Sequence, residues 1–153
     1  MRLAEGGKNP EPIVCLNPVK GLWRVRLAIT ETENGAEWME HDFNHRPTAP
    51  EIRGLYEELV NDEVQQHILL GLTYEGVIVW LSPENQMNFR SAPTVPVRFK
   101  LGEDAEGRPV YHTFTTQKEL TAFNKLVADH IATCLDEGWT KKDAFDVEPY
   151  LRE

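Results

Sequence analysis

From Leu22 to Phe43 the chain alternates between apolar and polar positions. Trp23, Val25, Leu27 and Ile29 fall on one side and Arg24, Arg26, Ala28 and Thr30 on the other, the period of a half-buried strand. Residues 36–43 continue in the same way, with Met39, His41 and Phe43 on one face. A two-residue Asn34-Gly35 turn would set Ile29 against Glu40 and Leu27 against Asp42, apolar against acidic. A three-residue loop, Glu33-Asn34-Gly35 with Gly35 in the left-handed region, sets Ile29 against Met39, Leu27 against His41 and Val25 against Phe43. Arg26 then meets Asp42 on the outer face. Register follows the apolar pattern, so the three-residue loop is predicted.

The period then lengthens. Thr48-Ala49-Pro50-Glu51 is a capping box with proline in the first turn. Ile52, Leu55, Leu59 and Val60 follow at helical spacing, and Asn61-Asp62 reads as a break or a second cap before Val64 and Ile68. Gly54 inside this helix costs about 1 kcal/mol against alanine, which predicts a close neighbour there.

Leu70 to Ala92 is the most legible stretch. Two apolar runs flank Glu75-Gly76, a two-residue hairpin signal. Tyr74 then pairs with Val77, Leu72 with Val79 and Leu70 with Leu81, and Gly71 lies opposite Trp80. Ser82 caps a helix that opens on Pro83. Pro93 and Pro96 are read as ending that helix and starting an edge-like strand, residues 97–101, which returns at 110–114 after the polar connection GEDAEGRP. Thr116-Gln117-Lys118-Glu119 opens the clearest helix. Leu120, Phe123, Val127, Ile131 and Cys134 form its buried stripe, Gly138 its C-terminal cap with Trp139 folding back, and Thr140 a cap for one further turn.

Three hairpins each followed by a capped helix predict an α+β fold, an antiparallel sheet with helices mainly on one face. Residues 1–20, with Gly6-Gly7 and three prolines, read as an extended lead-in whose Ile13-Val14-Cys15-Leu16 docks on the domain or on the free face of the central hairpin. Residues 21–153 then form a single domain, with the first hairpin and helix at 21–69.

The composition narrows the partners. With 25 acidic against 16 basic residues the formal charge is −9, which repels phosphate backbones and disfavours nucleic acid. No apolar run reaches the roughly 18 residues of a membrane helix, and the N-terminus lacks the apolar core of a signal peptide. Cytoplasmic residence is the expectation. Cys15 and Cys134 stand in unlike contexts, and nothing demands a disulfide between them.

Four segments, VWLSPENQMNF (79–89), VRFKLG (97–102), YHTFTTQKELTAF (111–123) and ADHIATCLDEGWTKKDAFD (128–146), resemble a group of uncharacterised bacterial prophage proteins. The last part is also similar to the C-terminal domain of small phage tail-fibre assembly-type proteins. The likeness covers roughly residues 64–150, and residues 70–150 form its hairpin–helix units. It implies a structural or assembly role with a protein partner, such as a phage tail component; self-association into a homo-oligomer is a separate expectation. It brings no catalytic residues.

The residues themselves point the same way. In Glu40-His41-Asp42-Phe43-Asn44-His45 the strand sends His41 and the carboxylates to opposite faces, so no metal site converges and the pattern reads as a cross-strand ion pair. Ser82 is explained as a cap and Cys134 as a small apolar residue, with His130 at the edge of its stripe. Phosphate-binding glycine loops and Cys-Xaa-Xaa-Cys pairs are absent. No catalytic residue, cofactor or metal is expected. Glu84, Asn85, Gln86 and Asn88 form the most distinctive polar cluster. Their amides either read peptide or sugar groups, or tie the first helical turn to neighbouring backbone. Trp80 and Ile78, on the free face of the hairpin, are the candidate interaction surface, while most of Trp23, Trp38, Trp80 and Trp139 are expected in the core. The alternative function is a small hydrolase or ligand-binding protein using Glu84–Asn88 with His41 or His45.

Overall fold

The computed structural model describes residues 1–91 and 94–152. The helix stop assigned to Pro93 lies outside them. The fold is α+β, and the chain divides into two units: Met1–Leu59 together with the chain from Ala144 on, and Val60–Asp143.

The first unit holds a four-stranded antiparallel sheet in the order β1 (Arg2–Gly6), β4 (Ala36–Phe43), β3 (Leu22–Glu31), β2 (Ile13–Asn17). The first twenty residues therefore supply both flanking strands rather than a lead-in. Leu3 pairs with Met39 and Ile13 with Val25. The central register differs from expectation by two residues: Leu27 faces Met39, Val25 faces His41 and Trp23 faces Phe43. A slip of two keeps Trp23, Val25 and Leu27 on their intended face, whereas Ile29, expected inward, lies at the bulge and is exposed. A loop of four residues rather than three, closed by the Glu31–Ala36 pair, takes up one residue of the difference and a bulge between Leu27 and Thr30 the other. Ala28, at φ 52°, adopts the left-handed conformation assigned to Gly35. Thr32 N–H closes the loop onto the Gly35 carbonyl at 2.9 Å. Gly35 is required for another reason: a Cβ there would stand 2.0 Å from the Gly6 carbonyl oxygen of β1.

Helix α1 (Ala49–Leu70) starts at the expected capping box, with Thr48 N–H donating to Glu51 Oε1 at 3.1 Å and Glu51 N–H to Thr48 Oγ1 at 3.4 Å. It runs on without a break at Asn61-Asp62, whose side chains stay on the exposed face. Gly54 is exposed and a Cβ there would meet nothing within 4 Å, so no close neighbour explains it. Val25 and Leu27 pack with Ile52 of α1 and with Val147 and Tyr150 near the short helix α4 (Glu148–Leu151). Tyr150 Oη donates to the Arg26 carbonyl at 2.8 Å, and Tyr56 stacks on Phe145 at 4.2 Å. Burying each large side chain completely contributes about 1.5–3 kcal/mol. The opposite face of the sheet carries the ion pairs.

The second unit contains the hairpin β5 (Leu72–Tyr74) and β6 (Val77–Val79), helix α2 (Pro83–Arg90), the hairpin β7 (Val97–Glu103) and β8 (Pro109–Phe114), and helix α3 (Gln117–Ala144). Leu72 pairs with Val79 and Tyr74 with Val77, as the alternation predicts. Glu75 at φ 50° and Gly76 at φ 80° make the turn that suits a tight hairpin. The pairing stops there. Leu70 stays in α1, and Leu81 N–H donates to the Leu69 carbonyl at 2.9 Å instead of facing Leu70. Gly71 does not lie opposite Trp80; a Cβ there would meet the His67 carbonyl at 2.2 Å.

The three hairpins form separate sheets rather than one. The three-residue strands of the central hairpin end as the chain turns into the Ser82 cap, and a Trp80 N–H to Leu101 carbonyl bond of 2.7 Å links it to β7. Phe89, Phe114 and Phe123 are fully buried in the core of this unit with Val79, Leu81 and Leu101. Phe123 has ring neighbours at 4.9 Å (Phe114), 5.0 Å (Tyr74) and 5.2 Å (Phe89). Helix α3 passes straight through Gly138, which is not a cap: a Cβ there would lie 2.6 Å from Val64 Cγ2. Thr140 donates to the Asp136 carbonyl within the same helix, and Trp139 is exposed. Among the described residues, no helix is long and apolar enough to cross a membrane.

Candidate functional site

The surface around Trp80 is built by the junction of hairpin and helix. Ser82 Oγ accepts from Asn85 N–H at 3.2 Å and Pro83 occupies the first turn, so the cap is formed as the sequence predicts. Two amides then reach back along the chain. Asn85 Nδ2 donates to the Trp80 carbonyl at 2.8 Å and Gln86 Nε2 to the Leu81 carbonyl at 2.9 Å. Of the two roles open to these amides, the bonds to neighbouring backbone are the ones made. With its N–H on Leu101 and its carbonyl on Asn85, Trp80 has a fully paired backbone.

Its side chain is not covered. Trp80 is 47% exposed and Ile78 52% exposed. With Leu70 they line the apolar part of an open cleft of about 530 Å³. Ser82, Glu84, Asn85, Lys100 and Glu103 supply its polar part, and Gly102 completes the wall. Glycine is needed at 102 because a Cβ would stand 2.3 Å from the Ile78 carbonyl oxygen. The cleft therefore brings together Trp80, Ile78, Glu84 and Asn85. Gln86 is half-buried in its bond to Leu81, and the exposed Asn88 does not line the cleft.

The sequence reading missed Lys100 and Glu103, which approach each other at 3.5 Å. A signal was present in VRFKLGE: Lys100 sits at an outward position of the strand, two residues before a glycine. Gly102 marks a close approach of backbones.

The other chemistry-bearing groups lie elsewhere. Arg24 pairs with Asp42 through two bonds of 2.7 and 3.0 Å, and the same carboxylate accepts from Arg2 at 3.3 Å. Arg26 faces Glu40 rather than Asp42, a consequence of the shifted register. The Arg24 bonds hold the Asp42 carboxyl down at about 2. Glu40, only 6% exposed, accepts from Trp38 Nε1 and Arg2 Nε at 3.0 Å each. The Trp38 bond in particular holds its carboxyl below the usual range. These bonds pair both carboxylates with arginines in an ion-pair layer on the sheet, while Arg26 Nε on the same face is buried without a partner among the described residues.

His41 and His45 each meet the Phe43 ring edge-on, at 5.0 and 5.6 Å, in the first unit. Cys134 lies 3.7 Å from His130 Nε2. Burial pushes its thiol up, which opposes formation of a thiolate. His112 Nε2 meets Glu119 at 2.8 Å, and that bond lowers the Glu119 carboxyl. Among the described residues, no three of His, Cys, Asp and Glu gather as metal ligands, and both cysteines are free. Of the tryptophans, Trp38 alone is buried; Trp23 is half-buried, and Trp80 and Trp139 are exposed. The expectation that most are core is thus corrected, since Trp23 and Trp38 sit on the sheet and the other two on solvent-facing positions.

The chain matches no family model, no curated protein and no solved structure.

Proposed function

We propose that this protein is a non-catalytic structural or assembly factor of prophage type, acting by contact with another protein chain through the cleft at Ile78 and Trp80. One observation carries the reading: two large apolar side chains stay half-exposed on a hairpin whose backbone is pinned by three hydrogen bonds to Leu101, Asn85 and Gln86. A fixed apolar and aromatic surface with a polar rim has the composition of an interaction site. Ser82 Oγ, the one hydroxyl of the cleft, is engaged as a helix cap, and neither histidine nor cysteine is among the described lining residues. These features favour binding over nucleophilic chemistry. The prophage assignment is supported by the resemblance carried in residues 79–146.

The test is site-specific photo-crosslinking in the producing cell, with the reactive side chain at position 78 and a control at exposed Glu57. A discrete adduct, with another protein or with a second copy, is expected at 78 and not at 57. Trp80→Glu should remove it. Equal labelling at both positions, or none at 78, would overturn the reading. Removing residues 1–19 is no test of the hairpin surface, because it would delete two strands of the first sheet.

A further inference from the structure

We infer that the occupant of the Trp80 cleft is a basic protein segment, laying an arginine or lysine on the Trp80 indole between Glu84 and Glu103 with an apolar side chain beside Ile78. This rests on the protein-contact reading and adds the chemistry of the partner.

The backbone of the cleft first limits how anything can be held. Trp80 N–H is spent on Leu101 and its carbonyl on Asn85, so an incoming strand finds no free pair at that residue. Side chains must do the recognition. The indole offers an exposed aromatic face, the best of the natural rings for a guanidinium or ammonium group. Three other aromatic faces, though among the described residues not that of the exposed Trp139, are covered by the protein's own arginines. Arg46 stands 5.0 Å from the Trp23 ring, Arg26 5.2 Å from Trp38 and Arg98 3.9 Å from Tyr111. No such arginine covers Trp80 among the described residues.

Charge then selects the sign of the occupant. Glu84 makes no ion pair among the described residues, and Glu103 shares only the 3.5 Å contact with Lys100. Two carboxylates against one ammonium leave the lining at −1, within a chain of net charge −9. An acidic segment meets repulsion from both, and a neutral one leaves Glu84 unmatched. A cationic segment satisfies Glu84, competes with Lys100 for Glu103, and is drawn in by the field of the whole chain.

The full chain, labelled with nitrogen-15, is titrated with blocked pentapeptides alternating leucine with arginine, with glutamate or with glutamine, and with a neutral tetrasaccharide. The arginine peptide should shift the Trp80 indole signal and the amides of residues 78–85 and 100–103. It should bind about tenfold or more tightly than the glutamate peptide, and less tightly as salt is raised. Glu84→Gln and Glu103→Gln should each weaken it roughly threefold to fivefold, and Trp80→Ala about tenfold. Both glutamates are exposed, so their variants keep the test independent of folding. Equal or tighter binding of the glutamate or glutamine peptide, shifts with the saccharide alone, or no shift with any probe overturns the inference. Crosslinking at position 78 separates this from the parent reading. An acidic or neutral captured segment removes the basic partner and leaves the protein contact standing, whereas absence of any adduct removes both.

Discussion

Replacing Gly138 by alanine tests how the second unit is packed. In α3 the added methyl gains about 1 kcal/mol of helix propensity. It also arrives 2.6 Å from Val64 Cγ2 and 3.6 Å from Val60 Cγ1 of α1. The first distance lies far inside van der Waals contact, and overpacking of this kind costs about 1–3 kcal/mol. The expected net effect is a loss of up to about 2 kcal/mol. A second variant makes the cause visible. Val64→Ala removes the obstructing methyls and on its own costs about 1–2 kcal/mol as a partly buried truncation. In the double variant the clash is gone, so Gly138→Ala should become neutral or stabilising. The coupling between the two sites should then be about 1 kcal/mol or more. Urea unfolding of the four proteins, read by circular dichroism, measures the cycle. Had Gly138 ended the helix in a left-handed conformation, alanine would be penalised by backbone strain alone, with no dependence on position 64. Additive effects would refute the packing argument.

Three further outcomes follow from the same geometry. Gly35→Asn should destabilise as much as Gly35→Ala, because both place a Cβ 2.0 Å from the Gly6 carbonyl; an asparagine variant that melts like the parent would restore the left-handed turn. Gly54→Ala, on an exposed helical position with open space around it, should stabilise by about 1 kcal/mol, and a lower melting temperature would reveal an unseen neighbour. Asp42 has its carboxyl lowered from 3.8 to about 2, so its ion pairs stabilise the fold above pH ~4, and that contribution is lost as pH falls from about 4 to 2. Its side chain is 27% exposed, and with that screening the contribution is about 1–2 kcal/mol. Asp42→Asn should flatten this acid limb in urea midpoints, and an unchanged limb would assign it to other carboxylates.

What the sequence disclosed and what it hid divide along physical lines. Alternation assigns faces, so Val25 and Leu27 were placed inward correctly while their partners were displaced by two, a shift that period two cannot detect. Caps are local chemistry, and Thr48, Ser82 and Thr116 all cap as their neighbours dictate. Glycines are ambiguous by nature. Gly35 and Gly138 serve close approaches between segments distant along the chain, which no local window contains. Gly71 lies against the carbonyl of His67 in the last turn of the helix that precedes it, and the left-handed residue of the first hairpin is Ala28. Arg2–Gly6 is a strand because β4 has a free edge for it, not because its own residues favour one. In the cleft, Trp80, Ile78, Glu84 and Asn85 were visible as neighbours in sequence. Lys100 and Glu103 join them through the folding of a different hairpin.

The order in which the first core is assembled carries a consequence for biosynthesis. Val25, Leu27 and Ile52 leave the ribosome early, yet Val147 and Tyr150, which close the core over them, follow nearly a hundred residues after Ile52. Until then the nascent sheet shows an unfinished apolar face to solvent or to a chaperone. Loss of the segment carrying Val147 and Tyr150, by proteolysis or a premature stop, would expose that face again, so this sheet depends on a segment synthesised long after its own strands.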